Sequence, residues 1–262
     1  MTLTDQQLLE LCLHVSGGFE NGSGASYTTV TGNFDGMGIS CGILQWNAGQ
    51  NTLQALVTNI AAKMGWDKAK SFFSSDIQVF AGLKGAAAVA WCLNKYIQTG
   101  GKDVDPAAKV RWQNFLTQPE SIAAQVAFAS AGTLGHAKRE VAAYAPDYAA
   151  NNRPYVFFFD LITQEGGMSS GGHTIPPIPS GQTPDISDAL NFAAQKSPQC
   201  QTIWQGVTSG DNEATLLLHY AYARAMMANP LYQWDACARR GTIACRSGIV
   251  HGAHLDFTTV LD

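Results

Sequence analysis

Two carboxylates of this 262-residue chain, Glu20 and Asp35, are candidates for shared chemistry. Glu20 lies at the end of the first predicted helix, and Asp35 lies in the predicted hairpin that follows it. Glu20 follows Phe19 at the C-terminal end of that helix, where the partial negative charge of the helix and an apolar neighbour both favour a protonated carboxyl group. Asp35 stands in a glycine-rich turn open to water, which suits an ionised carboxylate. Hydrolysis of a glycosidic bond needs such a pair: one group protonates the leaving oxygen, and the other activates water or stabilises positive charge on the sugar.

Residues that follow Asp35 could assist this chemistry. Ser40 is predicted on the return strand of a hairpin, where its hydroxyl would help to hold the attacking water. Gln45, Trp46 and Asn47 come next and would line a sugar cleft, since an indole face stacks on a pyranose ring and amides bond hydroxyl and acetamido groups. Core packing is the alternative role for Trp46. We expect catalysis without a metal ion or another cofactor.

The elements that position these residues follow from periodicity and turn signals. Apolar residues at 8, 12, 15 and 19 share one helical face, and the β-branched and glycine-rich segment 27–46 predicts a hairpin that turns at Asp35-Gly36. Segment 154–163 fits a buried strand or a core helix, and we interpret it as a helix. Gly166–Pro184 is predicted as a loop. Further helices are predicted over 52–64, 85–98, 106–116, 120–144, 186–195, 213–228 and 231–238.

The composition excludes several function classes. Only 14% of the residues are charged, against about 25% in an ordinary soluble domain, and 46% are hydrophobic, so the chain can bury a large core. A formal net charge of -4 leaves no basic stripe of the kind that duplex nucleic acid needs. No apolar run reaches about 18 residues, as a membrane span requires, and Met1–Glu10 holds no Lys or Arg to open a secretory signal. We therefore expect synthesis in the cytoplasm without a signal peptide.

A glutamate at the end of helix one, followed by a hairpin that reads Asp-Gly-x-Gly-x-Ser-x-Gly-Ile, resembles the core of the lysozyme superfamily. The resemblance is especially to phage-type lysozymes, pesticin-like muramidases and the related chitosanases. Asp35, Ser40, Gly42 and Ile43 carry the pattern, with Ser40 where threonine is usual. Segment 32–50 is similar to bacterial lysozyme-like proteins linked to peptidoglycan, some of them antibacterial effectors of type VI secretion machines. Segments 155–167 and 239–252 add weaker similarity.

This resemblance implies a lysozyme-like, mainly helical α+β fold in which the hairpin forms one wall of the active-site cleft. It implies a muramidase that cleaves β-1,4 bonds of peptidoglycan glycan strands, with Glu20 as general acid and Asp35 as partner carboxylate. It also implies delivery to the periplasm or cell wall, either as a secreted effector or by phage-like release, with a secretion component and an immunity protein as partners. A chitosanase and an inactive wall-binding module are alternatives. We expect one domain over 1–262, with a core at 1–165, the loop 166–184 and C-terminal helices over 185–262.

Two other hydrolase patterns compete with the glycosidase hypothesis. Gly38-Ile-Ser-Cys-Gly42 matches the G-x-S-x-G nucleophile elbow, but that motif needs a strand before it and a helix after it. A cell-wall amidase or endopeptidase would use Cys41 as nucleophile and His136, His219 or His251 as base. Cysteine nucleophiles usually stand at a helix N-terminus, whereas Cys41 is predicted within a strand. The simpler interpretation of Cys41 is a small buried residue.

Histidines and cysteines give weaker signals. His251-Gly-Ala-His254 with Asp256 hints at a metal site, but it lacks the histidine spacing and intervening glutamate of zinc-binding helices, so we assign no metal. The six cysteines lack the dense spacing of a disulfide scaffold. Only Cys237 and Cys245 are close enough in sequence for a local pair.

Overall fold

The computed structural model describes residues 3–21, 26–170 and 172–261, without the side chains of Glu20, Asn21 and Ser170. The helices are α1 (Asp5–Asn21), α2 (Thr52–Met64), α3 (Trp66–Phe73), α4 (Asp76–Gly82), α5 (Gly85–Lys95), α6 (Pro106–Leu116), α7 (Pro119–Ala129), α8 (Gly135–Tyr144), α9 (Arg153–Glu165), α10 (Ser187–Lys196), α11 (Pro198–Thr208), α12 (Asn212–Met226), α13 (Gln233–Ala244) and α14 (Thr258–Leu261). The strands are β1 (Val30–Thr31), β2 (Ser40–Cys41), β3 (Trp46–Asn47), β4 (Ser169–Ser170), β5 (His173–Thr174), β6 (Ser247–Val250) and β7 (Ala253–Asp256). The predicted mainly helical α+β class is confirmed.

Two compact units make up the chain. The inserted unit comprises 25–131, and the flanking unit comprises 1–24 together with 132–262. The predicted single domain over 1–262, with a core at 1–165 followed by C-terminal helices, stays a prediction, and the flanking unit combines segments from both ends of the chain. The reason is that α9, which ends at Glu165, packs against α1, α8 and α13, so segments from both ends of the chain build one core.

The inserted unit combines a small sheet with helices α2–α7. Strands β1, β2 and β3 pair antiparallel in that order, with Val30 opposite Cys41 and Cys41 opposite Trp46. Helix α2 packs against α3, α4 and α7. Aromatic rings fill the space between α3, α4, α5 and α6, and the ring centroids of Phe73 and Trp112 lie 4.8 Å apart. This unit therefore has its own apolar core beside the predicted hairpin.

The flanking unit is built around α9, in which Phe157, Phe158 and Phe159 are all fully buried. Successive helical residues point about 100° apart, so burial of three in a row means that α9 has neighbours on most of its circumference. The interpretation of segment 154–163 as a helix is confirmed, and α9 is followed by Gly166 in the left-handed conformation (φ 82°) that glycine favours. Helix α13 packs against α12, α9 and β6 in the same unit.

Several elements differ from the sequence prediction. The predicted helix 120–144 is divided into α7, a π-helical segment Ser130–Leu134, and α8. Helices α3, α4 and α11 and the hairpin β6–β7 were not predicted, and the predicted loop 166–184 contains the short strands β4 and β5. In the part of the chain that is described, no helix has both the length and the apolar character needed to cross a bilayer.

Candidate functional site

The C-terminal turn of α1 carries Glu20, as the sequence predicted. The Glu20 side chain lies outside the described residues, so its catalytic role stays a prediction. Its neighbour Phe19 is 7% exposed and packs edge-on against Phe257 at a centroid distance of 5.5 Å. The end of α1 is therefore held by apolar contact within the flanking unit.

Arg239 on α13 lies directly against this turn. Its guanidinium carbon is 4.6 Å from the centre of the Phe19 ring, and Nη2 donates to the Ser16 carbonyl oxygen at 3.3 Å. Arg239 also donates to the fully buried carboxylate of Asp160 on α9, from Nε at 2.9 and 3.0 Å and from Nη2 at 2.7 Å. Arg239 thus links α13 to α9 and to the last turns of α1, close to Glu20 in sequence. The buried charge of Asp160 is paired with Arg239 rather than left isolated.

A cleft of about 460 Å³ opens beside Arg239, between the end of α9 and helices α12 and α13. We call it the arginine cleft, and its charged and aromatic lining includes Glu165, Arg224, Tyr232, Asp235, Arg239 and Arg240. The three arginines are each at least nine-tenths buried. Arg239 therefore belongs to two environments, because it lines the arginine cleft and also contacts Phe19 in the last turn of α1.

The carboxylate of Glu165 balances two of these arginines. It accepts a hydrogen bond from Arg240 Nη1 at 2.6 Å and forms an ion pair with Arg224 Nη1 at 2.9 Å. Toward solvent, Asp235 Oδ1 lies 2.5 Å from His251 Nε2, and Tyr232 is 64% exposed. An exposed ring beside fixed charged groups is a lining suited to a polyhydroxylated ligand. Sequence reasoning missed this cleft, although arginines within apolar, alanine-rich helices are a signal of buried ion pairs.

Asp35 is exposed in the loop between β1 and β2 of the inserted unit. Its Oδ1 accepts a hydrogen bond from the Met37 backbone N–H at 2.9 Å, and Asn33 Oδ1 accepts one from Gly38 N–H at 2.8 Å. Gly36 and Gly38 have φ angles of 82° and 83°, in the region that glycine favours. The predicted turn is present, and side-chain hydrogen bonds fix the orientation of its carboxylate.

Ser40 lies on the middle strand of the small sheet, with Thr31 and Asn47 directly opposite it on the two neighbouring strands. Directly opposed residues of an antiparallel pair project from the same face, so these three share one polar face. Ser40 is only 7% exposed. The predicted role of its hydroxyl in holding water stays a prediction.

Gln45, Trp46 and Asn47 have structural contacts within the inserted unit. Gln45 accepts from Thr31 Oγ1 at 2.7 Å and donates to the Gly42 carbonyl at 2.8 Å. Trp46 is 7% exposed, with its ring centroid 5.6 Å from that of Phe128. Asn47, 8% exposed, exchanges two hydrogen bonds with Gln50. The contacts of Trp46 show that it packs in the core, which was its alternative role. Sugar binding by Gln45, Trp46 and Asn47 stays a prediction.

Cys41 is fully buried in β2, and its environment argues against the cysteine-hydrolase alternative. Burial, together with nearby Cys92, raises the pKa of the Cys41 thiol well above its usual value. The thiol is therefore protonated at neutral pH, and only a thiolate is an effective nucleophile. The same strand excludes a nucleophile elbow, because β2 continues through a turn into β3 rather than into a helix. All six cysteines are buried free thiols, including Cys237 and Cys245.

Replacement of Cys41 by Ala is expected to leave hydrolysis within about twofold of the parent rate and to lower the free energy of unfolding by about 1 kcal/mol, because only a buried sulfur is removed. Initial rates on glycan and urea unfolding curves measure the two effects. Cys92→Ala, another buried thiol in the same unit, is the matched control. Lost activity in a folded Cys41→Ala protein, with Cys92→Ala unaffected, would favour a cysteine hydrolase.

Comparison with known proteins identifies the fold. No protein-family model matches the sequence, and no curated protein is significantly similar to it. A chitosanase from Bacillus subtilis MY002, solved also as a glutamate-to-alanine mutant complexed with 6 GlcN, shows 16% identity and a TM-score of 0.53 over 93% of this chain and 88% of its own. The GH46 chitosanase of Gynuella sunshinyii, in complex with chitotetraose, gives 14% identity, a TM-score of 0.54 and the same coverage. Chitosanase OU01, solved with substrate, shows 14% identity and a TM-score of 0.55 over 94% of this chain and 94% of its own. The chain therefore has the lysozyme-like, mainly helical fold of these chitosanases.

Proposed function

We propose that this chain is a glycoside hydrolase that cleaves β-1,4 bonds in an amino-sugar glycan. The observation that carries the proposal is a fold shared over 93–94% of the chain with chitosanases, two of them solved in complex with 6 GlcN and with chitotetraose. Fold alone does not specify function, so the proposal also requires catalytic groups. Glu20 and Asp35 supply the two carboxylates that this chemistry uses.

In this proposal Glu20 is the general acid and Asp35 the partner that directs water or stabilises positive charge on the sugar. Support for Glu20 comes from its place in the last turn of α1, where its neighbour Phe19 contacts Arg239, a residue of the arginine cleft. Support for Asp35 comes from its exposure and from the hydrogen bond that holds Oδ1 to Met37 N–H. Its Oδ2 has no protein partner among the described residues and is available to a water molecule. Ser40 would assist in orienting that water.

We propose a chitosan-type glycan as the first candidate substrate, because the similar structures are chitosanases. The carboxylate of Asp235, half exposed at the arginine cleft, is the kind of group that attracts a glucosamine ammonium. Peptidoglycan is the second candidate, which makes the chain a muramidase, and the resemblance of segment 32–50 favours it. Delivery to the cell wall as an antibacterial effector, with secretion and immunity partners, belongs to this second candidate and rests on that resemblance.

Digestion of both polymers by the purified chain tests the proposal. We expect new reducing ends and a ladder of glucosamine oligomers from chitosan, read by a reducing-sugar assay and mass spectrometry. Reducing ends from peptidoglycan, with stem peptides still attached to sugar, would assign the muramidase instead. Peptides released without new reducing ends would contradict glycosidase chemistry in favour of an amidase, and intact polymers at all protein concentrations would contradict both substrates.

A further inference from the structure

A second cavity, of about 440 Å³, is formed entirely by residues of the inserted unit. It lies between the end of α3, the loop that follows it, the end of α5, and α6. We call it the aromatic cavity; Phe72, Phe73, Asp76, Lys95, Tyr96 and Arg111 line it. Its volume lies within the range of small-molecule sites, about 300–1,000 Å³. None of the catalytic chemistry proposed above uses it.

The walls of the aromatic cavity are apolar rings with little freedom to move. Phe72 is half-buried and packs edge-on against Phe115 at 5.7 Å between centroids. Phe73 is 7% exposed and lies 4.8 Å from Trp112 and 5.4 Å from Phe115. Rings held by several neighbours form a preorganised surface, so a ligand body placed against them should be apolar.

Two unsatisfied donors lie in the same aromatic cluster. Tyr96 lines the cavity and is 3% exposed, and its hydroxyl is buried without a hydrogen-bond partner in the described part of the chain. Nε1 of the fully buried Trp112, whose ring centroid is 5.6 Å from that of Tyr96, is also buried and unpartnered. Burial raises the pKa of Tyr96, so the phenol keeps its proton and can donate. Buried polar groups are normally hydrogen-bonded, and each of these two groups can still donate a hydrogen bond to an acceptor.

The charged groups at the cavity carry an excess of positive charge. Lys95 and Asp76 form an ion pair at 3.1 Å and largely compensate each other. Arg111 is exposed and has no hydrogen-bond or ion-pair partner among residues 26–131, yet it lies close enough to Tyr96 to stabilise its ionised form electrostatically. The Arg111 guanidinium offers only donors, and the Tyr96 hydroxyl, a residue of the same cavity lining, can donate one more hydrogen bond. A carboxylate matches that combination, since it only accepts hydrogen bonds and is negative.

We propose that the aromatic cavity binds a small carboxylate with an apolar body. The carboxylate oxygens accept hydrogen bonds from Arg111 and Tyr96, while the body packs against Phe72 and Phe73. This chemistry is offered both by a free organic acid and by the C-terminal carboxylate of a peptide that ends in an apolar residue. Ligand binding in the aromatic cavity does not depend on glycosidase activity. This proposal can therefore be tested separately from the proposed function.

Titration of the full chain with phenylacetate, followed by calorimetry and ligand-observed NMR, tests the proposal. We expect saturable binding at one site, and binding at least about tenfold weaker for the neutral analogue phenylacetamide, because the charge-assisted hydrogen bonds are lost. Arg111→Gln should weaken phenylacetate binding by a similar factor, and Tyr96→Phe by a smaller one. Acetyl-Ala-Phe, compared with its C-terminal amide, shows whether the peptide carboxylate is also accepted; tighter binding than phenylacetate would identify peptides as the source, and weaker binding would identify free acids.

Arg139→Gln is the matched control, because Arg139 is, like Arg111, an exposed arginine, lies on α8 and does not line the aromatic cavity. Its affinity for phenylacetate should equal that of the parent chain. Equal affinity for the acid and the amide, equal weakening by Arg111→Gln and Arg139→Gln, or no saturable binding up to about 10 mM would each overturn the proposal. Arg111 is exposed, so its substitution should leave folding intact, as the melting temperature will show.

Discussion

Glu20→Gln is expected to lower kcat for glycan hydrolysis by about 10²–10⁴-fold while the melting temperature stays close to that of the parent chain. The amide keeps the size of the side chain in the last turn of α1 but cannot protonate the leaving oxygen. Because substrate contacts are retained, we expect KM to change little, so the loss should appear in kcat. Initial rates of reducing-end formation at several substrate concentrations separate the two constants.

Glu10→Gln is the matched control for this variant. Glu10 is an exposed residue of the same helix, with Oε1 accepting a hydrogen bond from Gln6 at 3.1 Å. The control should hydrolyse glycan at the parent rate. A Glu20→Gln protein that is folded and equally active would rule out Glu20 as the general acid, and the two-carboxylate assignment would then be wrong.

Asp160→Asn is expected to lower the free energy of unfolding by about 3–5 kcal/mol, the usual cost of removing one partner from a buried ion pair. The Asp160 carboxylate is fully buried and accepts from both Nε and Nη2 of Arg239. A neutral amide leaves less compensation for that buried guanidinium and has only one oxygen to accept its hydrogen bonds. Urea unfolding followed by circular dichroism measures the change.

Two comparisons make this stability test specific. Lys68 pairs with Glu120 at 2.8 Å near the surface, with side chains 42% and 33% exposed, and Lys68→Gln should hardly change stability. Adding Arg239→Gln to Asp160→Asn should cost less than the sum of the two single changes, because each single variant already breaks the same contact. Strict additivity, or a loss for Asp160→Asn no larger than for Lys68→Gln, would show that the pair contributes little.

Local sequence signals predicted many helices well. Helices α2 and α6 have the predicted bounds, and α6 shows why: Asp105 precedes Pro106, and its carboxylate accepts a hydrogen bond from Ala108 N–H at 2.9 Å. These contacts join residues at most three positions apart, so the sequence alone contains them. The π-helical segment 130–134 was not predicted, because alanine-rich composition favours helix throughout 120–144 and carries no sign of a wider turn.

The candidate site likewise has features that the sequence predicted and features that depend on tertiary packing. The sequence located Glu20 at a helix end and Asp35 in a glycine-rich turn, since caps and turns depend on neighbouring residues. It left two roles open for Trp46, because an indole next to a hairpin is equally suited to a core or a cleft. Its burial against Phe128, 82 positions away in sequence, depends on how α7 packs in the inserted unit.

By itself, then, the sequence determined the helical character and the turn around Asp35, and it predicts the two catalytic carboxylates. Only the tertiary structure decided that Arg239 meets Asp160 across 79 positions and that Arg239 lines the arginine cleft while it contacts Phe19 of α1. The aromatic cavity likewise joins α3, α5 and α6. The physical reason is range: propensity, capping and turn chemistry act over a few residues, whereas a buried charge or cavity requires partners that chain folding alone brings together.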